Sequence, residues 1–517
     1  MFSPTRGNHV QRPWATRLLT AALLVLPALD ASAASLSEEI ADLDAQLAAI
    51  VTHGANYPAT LDLHRLKALA YARAFSEDCH AHQAAASAEA ELYEHNAYAV
   101  LLPAYEAHRL SLDATLAFGR GQCADSDEDL VRETETARDL ALEGLEVAAK
   151  AHAYDDEAFL RFQVAHYLHI LGDEDDSQAM LASAIALDDA HGLVSDGDEN
   201  RTILAQWKKV DPNSIPKALQ PSAATLTFNW SPTDIDIDST IVSTHIQANK
   251  AVAETFDATG KFKVSARPGG GFRVANTDVA LQSRSAFTAD DSDAHLAHFL
   301  QEIVAQMPAI DVAADGSYVG FSEYAGFIEG MQASAKRFIE AEYPVDDDRR
   351  KAARERMTEY LSNRTSREVM EIESGRTHAL NTAIWIGATL TTGETMTINL
   401  GLPLDGVPKV AIPHRLEFRL DGPAPCHSKD GGAPRCVEIE MEATPEGAAL
   451  AKISAALIKQ GKGALHYWST LNGRIVVDPS TLEMHEQDSR RSYYLQLGDG
   501  AIEAQVYQSH DRLSYRH

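Results

Sequence analysis

The chain has few cysteines, a shortage of basic charge and no apolar run of membrane-spanning length. Each of these narrows what the protein can be. Only 4 of 517 residues are cysteine. The longest early apolar run, Leu18–Leu29, falls well short of the ~20 residues a spanning helix needs. Lys+Arg number 45 against Asp+Glu 75, a formal charge of −30. A surface this acidic repels phosphate, which argues against nucleic acid and anionic membranes as partners. Proline is nearly absent between Ser35 and Val210, occurring only at Pro58 and Pro103. What is present, 45% hydrophobic and 23% charged residues, suits a folded chain large enough for at least two cores.

Motifs for chemistry are equally sparse. No G-x-S-x-G elbow occurs, and Gly269-Gly270-Gly271 lies between alternating segments rather than ahead of a helix. His485-Glu486-Gln487-Asp488-Ser489 begins like a zincin helix but lacks the second histidine. Asp234, Asp236 and Asp238 have calcium-loop spacing without the glycine or the closing glutamate, and alternate with Ile235 and Ile237 as a strand would. Cys79-His80-Ala81-His82 offers three candidate ligands where zinc takes four, and His166 with His169 has no further partner in view. These readings select no metal, no cofactor and no catalytic residue.

Residues 1–33 read as a secretory signal: Arg6, Arg12 and Arg17, then the apolar run, then Ala31-Ser32-Ala33 before a cut near Ala33. The expected address is export, in a bacterium the periplasm, as a soluble chain. An even cysteine count in an oxidising compartment suggests two bridges. Sequence proximity favours Cys79–Cys123 and Cys426–Cys436. Strict pairing about the second bridge would set Leu420 against Glu442, on the wrong face, so either a bulge or a bridge outside the ladder is expected.

The fold expected is α+β in two domains. Residues 34–210 read as all-α, 211–224 as a proline-rich linker, and 225–517 as a curved antiparallel sheet with a helical insert over about 290–385. Helical periodicity covers 36–53, 61–75, 80–96, 97–118 and 129–151. In Phe159 to Asp189, Val164, Ala165 and Leu168 precede Gly172-Asp173, and Leu181, Ala184, Ile185 and Leu187 follow. This stretch resembles one tetratricopeptide repeat, departing from that pattern at Ser177 and Asp189. The resemblance places groove-lining positions at Phe159, Phe162, His166, His169 and Ile170, a face suited to a protein segment. The alternative is that the two phenylalanines pack on a neighbouring helix while the histidines face solvent.

In the second half, Arg415–Leu420 and Val437–Glu442 alternate strictly, so an arginine row and a glutamate row would meet across a shared face. Glycine turns at 269–271 and 498–500 mark hairpins. The stripe Leu296, Phe299, Leu300, Ile303, Val304 and Met307 has helical spacing. An apolar helix followed by Ile310-Asp311-Val312 and Asp315-Gly316-Ser317-Tyr318-Val319, then Gly393-Glu394-Thr395 and Asp478-Pro479-Ser480-Thr481-Leu482, resembles exported bacterial proteins built like the outer-membrane lipoprotein carriers. That resemblance implies a half-barrel capped by helices, with an apolar cavity lined by Phe272, Leu416, Phe418, Ile439, Met441 and Leu495. The alternative is a solid core.

The functional expectation is a non-catalytic exported binding protein. Its helices would dock a protein partner, and its β domain would hold an apolar or lipid-like ligand. A hydrolase of envelope polymers with a scattered active site, or a scaffold in an envelope complex, are the alternatives.

Overall fold

The computed structural model describes residues 35–516 apart from 51–52, 76–77, 192–193, 217–222, 284–297, 300, 346, 365, 393, 405–406 and 428–434. The signal segment 1–33, positions 217–222 of the linker, Leu296 and Leu300 of the helical stripe, Gly393, and most of the loop closed by Cys426 and Cys436 lie outside the described residues. The chain divides into two compact units close to residue 220. No helix among the described residues is long and apolar enough to cross a membrane.

The first unit is helical: α1 Leu36–Ile50, α2 Pro58–Arg73, α3 Cys79–Glu94, α4 Tyr105–Gln122, α5 Asp127–Lys150, α6 Tyr154–Leu171, α7 Glu174–Ala190 and α8 Val194–Lys208. Each packs against the next in the chain. The 97–118 segment is not one helix. A 3-10 turn, Ala97–Leu101, is followed by a break, and Ala104 takes φ 50° before α4 starts. Pro103 explains it, since proline has no N–H to donate and clashes with the preceding turn.

Caps set the ends. The Ser126 hydroxyl accepts from the Asp129 N–H, and three acids, Asp127, Glu128 and Asp129, occupy the first turn of α5. Gly172 ends α6 at φ 90°, where its own N–H and that of Asp173 donate to the carbonyls of His169 and Leu168. Ala114, Ala117, Ala137, Ala141 and Ala148 are fully buried against Leu160, Val164 and Tyr167. Small side chains let α4, α5 and α6 approach closely. Ser177 stands buried in α7, its hydroxyl donating to the Glu174 carbonyl at 2.9 Å. The Cys79–Cys123 bridge ties the start of α3 to the end of α4.

The second unit is built on one open antiparallel sheet of eleven strands. In chain order these are β2 Thr233–Gln247, β3 Lys250–Ala266, β4 Phe272–Ser283, β5 Ile310–Val312, β6 Tyr318–Phe321, β8 Thr395–Leu404, β9 Val407–Ala424, β10 Cys436–Pro445, β11 Leu465–Val477, β12 Met484–Leu497 and β13 Glu503–Arg516. Their spatial order is β6-β5-β4-β3-β2-β13-β12-β11-β10-β9-β8. Two short strands, β1 Ala223–Thr225 and β7 Thr389–Thr391, pair separately. Helices of the unit include α9 Tyr324–Glu342, α10 Asp348–Arg364, α11 Arg367–Asn381 and α12 Gly447–Lys459, and residues 298–299 and 301–305 are also helical. Gly269, Gly270 and Gly271 all take positive φ between β3 and β4, the conformation only glycine adopts freely.

The β9–β10 register settles the parity conflict around the second bridge. Cys436 pairs with Ala424 and Glu438 with Gly422, but Ile439 pairs with Leu420, so Asp421 is the extra residue of a bulge. Two core residues therefore face each other. Of the two charge rows, Arg419 meets Glu440 directly, with an ion pair at 3.0 Å. Arg415 instead lies opposite Thr444 and bonds Glu417 on its own strand at 2.5 Å, and Glu417 lies opposite Glu442.

Because strand side chains alternate, Ile412, His414, Leu416, Phe418 and Leu420 share one face of β9, and all are 0–1% exposed. Two different segments cover that face. Trp385, with Ala224, Leu226 and Leu390 from around β1 and β7, packs on Leu416, Phe418 and Leu420. Leu450, Ile453 and Leu457 of α12 pack on Ile412, Leu465, Tyr467 and Leu495.

Candidate functional site

The apolar residues of α9 recur every three or four positions. Tyr324, Phe327, Ile328, Met331, Ala335 and Ile339 therefore form one stripe. Part of the stripe packs into a core with Phe299, Phe321, Leu361 and Met370. Phe299 and Ile303 of the expected 296–307 stripe belong to this core, while Met307 is exposed. The rest of the α9 stripe borders a groove of about 590 Å³ against α10 and the start of α11. Its apolar wall is Ile328, Met331, Ala335, Ile339, Met357 and Leu361; Lys336, Arg354 and Arg367 add cationic groups. The Arg367 guanidinium lies 5.8 Å from the Tyr324 ring centre and donates to Glu371 at 2.8 Å. Size and lining suit a small apolar ligand held by a few polar contacts.

The six sheet residues expected to line a cavity do not converge on one space. Leu416, Phe418 and Ile439 are fully buried in the core under Trp385, whose ring stands edge-on to Phe418 at 4.6 Å between centroids; Met441 packs against the same cluster. Leu495 belongs to the cluster beneath α12. Phe272 lies in a third, with Ile235, Val264 and Leu513, beside the rings of Phe228 and Trp230. They share alternation, but different segments fill the space over them.

On α6 the five groove positions do form one face. Phe159, 45% exposed, stacks on Phe162 at 6.4 Å, and Phe162 on His166 at 6.3 Å. Phe118 of α4 meets His166 edge-on at 5.5 Å. His169 stacks on Trp207 of α8 at 4.2 Å and lies 3.3 Å from Glu174; Ile170 is half-buried. His166 is half-buried, and burial, then the neighbouring His169, lowers its pKa to about 4.

Strand register assembles one constellation that the primary structure conceals. Arg474 on β11, largely buried, reaches Glu438 on β10 at 3.5 Å and both Glu486 and Asp488 on β12 at 3.2 Å. Asp488 also binds His510 of β13, and Glu486 lies 3.8 Å from Arg512. One guanidinium fork shared by three carboxylates on neighbouring strands makes an ion-pair network rather than an acid–base pair. Asp234, Asp236 and Asp238 sit on β2 with basic neighbours across both ladders: Lys263 and Arg516, Lys261, and Arg512 respectively. His485 comes near Cys426 and Cys436, but those sulfurs are bonded to each other and offer no thiolate.

No protein-family model matches the chain, and no curated protein sequence does. Among solved structures, one described as lipid–protein interactions in lipovitellin aligns at 10% identity with a TM-score of 0.26. The alignment covers 58% of this chain and 26% of that one, so this chain spans about a quarter of the lipovitellin chain; the likeness is too slight to bear on function.

Proposed function

We propose that this is a non-catalytic binding protein of an oxidising, extracytoplasmic compartment that holds an apolar or lipid-like ligand in its second unit. The observation that carries the reading is the groove beside α9, whose wall is aliphatic and whose volume of about 590 Å³ lies in the range of small-molecule sites. The carrier-like architecture and the signal segment belong to the same proposal, and two disulfides support the compartment. The ligand seat is placed at the helices and not on the sheet, because the sheet's apolar face is occupied by Trp385 and α12. In the helical unit, read as a tetratricopeptide-like array, the aromatic face from Phe159 to Ile170 is the surface offered to a protein segment.

A direct test uses the neutral probe N-phenyl-1-naphthylamine. The wild-type chain should enhance its fluorescence saturably, and Thr358→Trp, which places an indole in the groove from an exposed position, should weaken the effect with little change in melting temperature. Native mass spectrometry after gentle purification should also show retained ligand. No enhancement together with clean apo masses in repeated preparations would refute the proposal.

A further inference from the structure

We infer that β8, the outermost strand at one end of the large sheet, is the docking edge for a second copy of this chain, the two β8 strands pairing antiparallel about a two-fold axis at Asn399. β8 bonds to β9 on one side, and none of the described residues pairs with its other side. An open edge displays unpaired N–H and C=O groups, and monomeric proteins blunt such edges with charge, proline or shortness. The opposite end of the sheet is blunted: β6, Tyr318–Phe321, has 4 residues, and α11 packs beside it. β8 is 10 residues long and carries no charged side chain from Thr395 to Leu404. At the chain's 23% of charged residues, a run of that length would carry about two. Pro403 alone interrupts the edge, near its end, and leaves Thr395–Leu402 open.

Charge and parity argue for a second copy as the occupant. Two chains with a formal charge of −30 repel one another, so they meet only where like charges do not oppose. β8 satisfies that condition. The nearest charges on the adjacent strand are Arg415, Glu417 and Arg419, opposite Asn399, Thr397 and Thr395. That row alternates in sign and is paired on its own side, Arg415 with Glu417 and Arg419 with Glu440. Three strand spacings, about 14 Å, would separate it from its counterpart. Met396, Ile398 and Leu400 pack on the core of Leu416, Phe418 and Leu420 but stay half-buried at its rim, while Thr395, Thr397 and Asn399 are exposed. A register that continues the apolar face must oppose residues of equal parity. Centred on Asn399, it sets Ile398 against Leu400 and Met396 against Leu402 of the second copy. Centred on Ile398, it would draw Glu394 onto the apolar face; centred on Leu400, it would shorten the run before Pro403.

The test is the mass of the full oxidised chain by sedimentation equilibrium over a wide concentration range. The wild type should approach twice the monomer mass as concentration rises. Asn399→Lys, at an exposed position, sets two ammonium groups face to face and should raise the dissociation constant about tenfold or more, with an unchanged circular dichroism spectrum. Asn399→Cys should cross-link two chains on air oxidation, whereas Thr395→Cys, beyond the paired run, should not. Should Asn399→Lys fold poorly, hydrogen exchange of the wild type gives the second reading: amides of 396–402 should lose protection on dilution, and unchanged protection overturns the proposal. A monomer at every concentration also overturns it and leaves the edge to an extended segment of another protein. A dimer as tight in Asn399→Lys as in wild type, or cross-linking at 395 alone, places the contact elsewhere and overturns it as well.

Discussion

Gly119 of α4 lies directly beneath the ring of Phe75: a β-carbon at 119 would come within 1.7 Å of Phe75 Cε2. Phe75 is 1% exposed and shares its cluster with Cys79 and Cys123. The close approach of helix and ring is possible only because position 119 has no side chain.

Gly119→Ala should therefore destabilise the first unit by about 1–3 kcal/mol, as overpacked cores do. The opposite sign is expected at Gly326 on α9, where a β-carbon meets nothing within 4 Å and alanine is the better helix former. Urea unfolding followed by circular dichroism measures both. Adding Phe75→Leu should recover part of the Gly119→Ala loss; an unaltered midpoint for Gly119→Ala alone would mean the ring does not occupy that place.

Reduction should lower the melting temperature through both bridges. On loop-closure entropy, Cys79–Cys123, spanning 44 residues, contributes about 4 kcal/mol, and Cys426–Cys436, spanning 10, about 3 kcal/mol. Calorimetry of the paired Cys→Ser variants separates them, with the larger shift expected for the first pair. Identical melts with and without reductant would remove the structural role.

The first unit should lose stability as pH rises from mildly acidic to mildly basic. Burial, with Asp113 close by, pushes the Glu94 carboxyl up from 4.5 to about 7. Burial likewise pushes Asp188 up from 3.8 to about 6, against the hydrogen bond from Asn200. A raised carboxyl pKa means the folded state holds the proton more tightly. Its contribution is then complete below the unfolded values and is lost as pH passes through about 6 to 7. Glu94→Gln should flatten the decline between pH 5 and 8, and Glu94→Gln/Asp188→Asn should flatten it further. A stability profile for these variants parallel to wild type would contradict the assignment.

Arg474→Met should cost about 3–5 kcal/mol, because Glu438, Glu486 and Asp488 lose the cation they share. Arg474→Lys should restore little, since one ammonium cannot reproduce a planar fork reaching two strands. Chemical denaturation of the two variants is the measurement, and full rescue by lysine would show that charge alone suffices.

How much of this was legible depends on whether the signal is local. Alternation in Arg415–Leu420 and Val437–Glu442 identifies both strands, and the mismatch of Leu420 with Glu442 anticipates the bulge at Asp421. Glycine and proline act within a few residues of themselves, so the turn at 269–271 and the break at Pro103 follow from composition, although the spacing of 97–118 alone suggests one helix. Alternation says which residues share a face but not what covers it. Trp385 over Phe418 and α12 over Leu495 are long-range facts, and they turn the expected cavity lining into separate cores. The Arg474 network was hidden for the same reason, its members lying on β10, β11 and β12. The groove beside α9 is long-range too, since its lining comes from three separate helices.

The position of β13 has a consequence for the order of assembly. This strand lies between β12 and β2, pairing residues 505–516 with 234–245 some 270 positions earlier. Without residues 503–516 the described strands fall into two separate ribbons, β2–β6 and β8–β12, each with an unsatisfied edge at what is otherwise the middle of the sheet. Such edges recruit foreign strands. A chain truncated before Glu503 would leave both of those edges open, and is expected to aggregate more readily than the full chain.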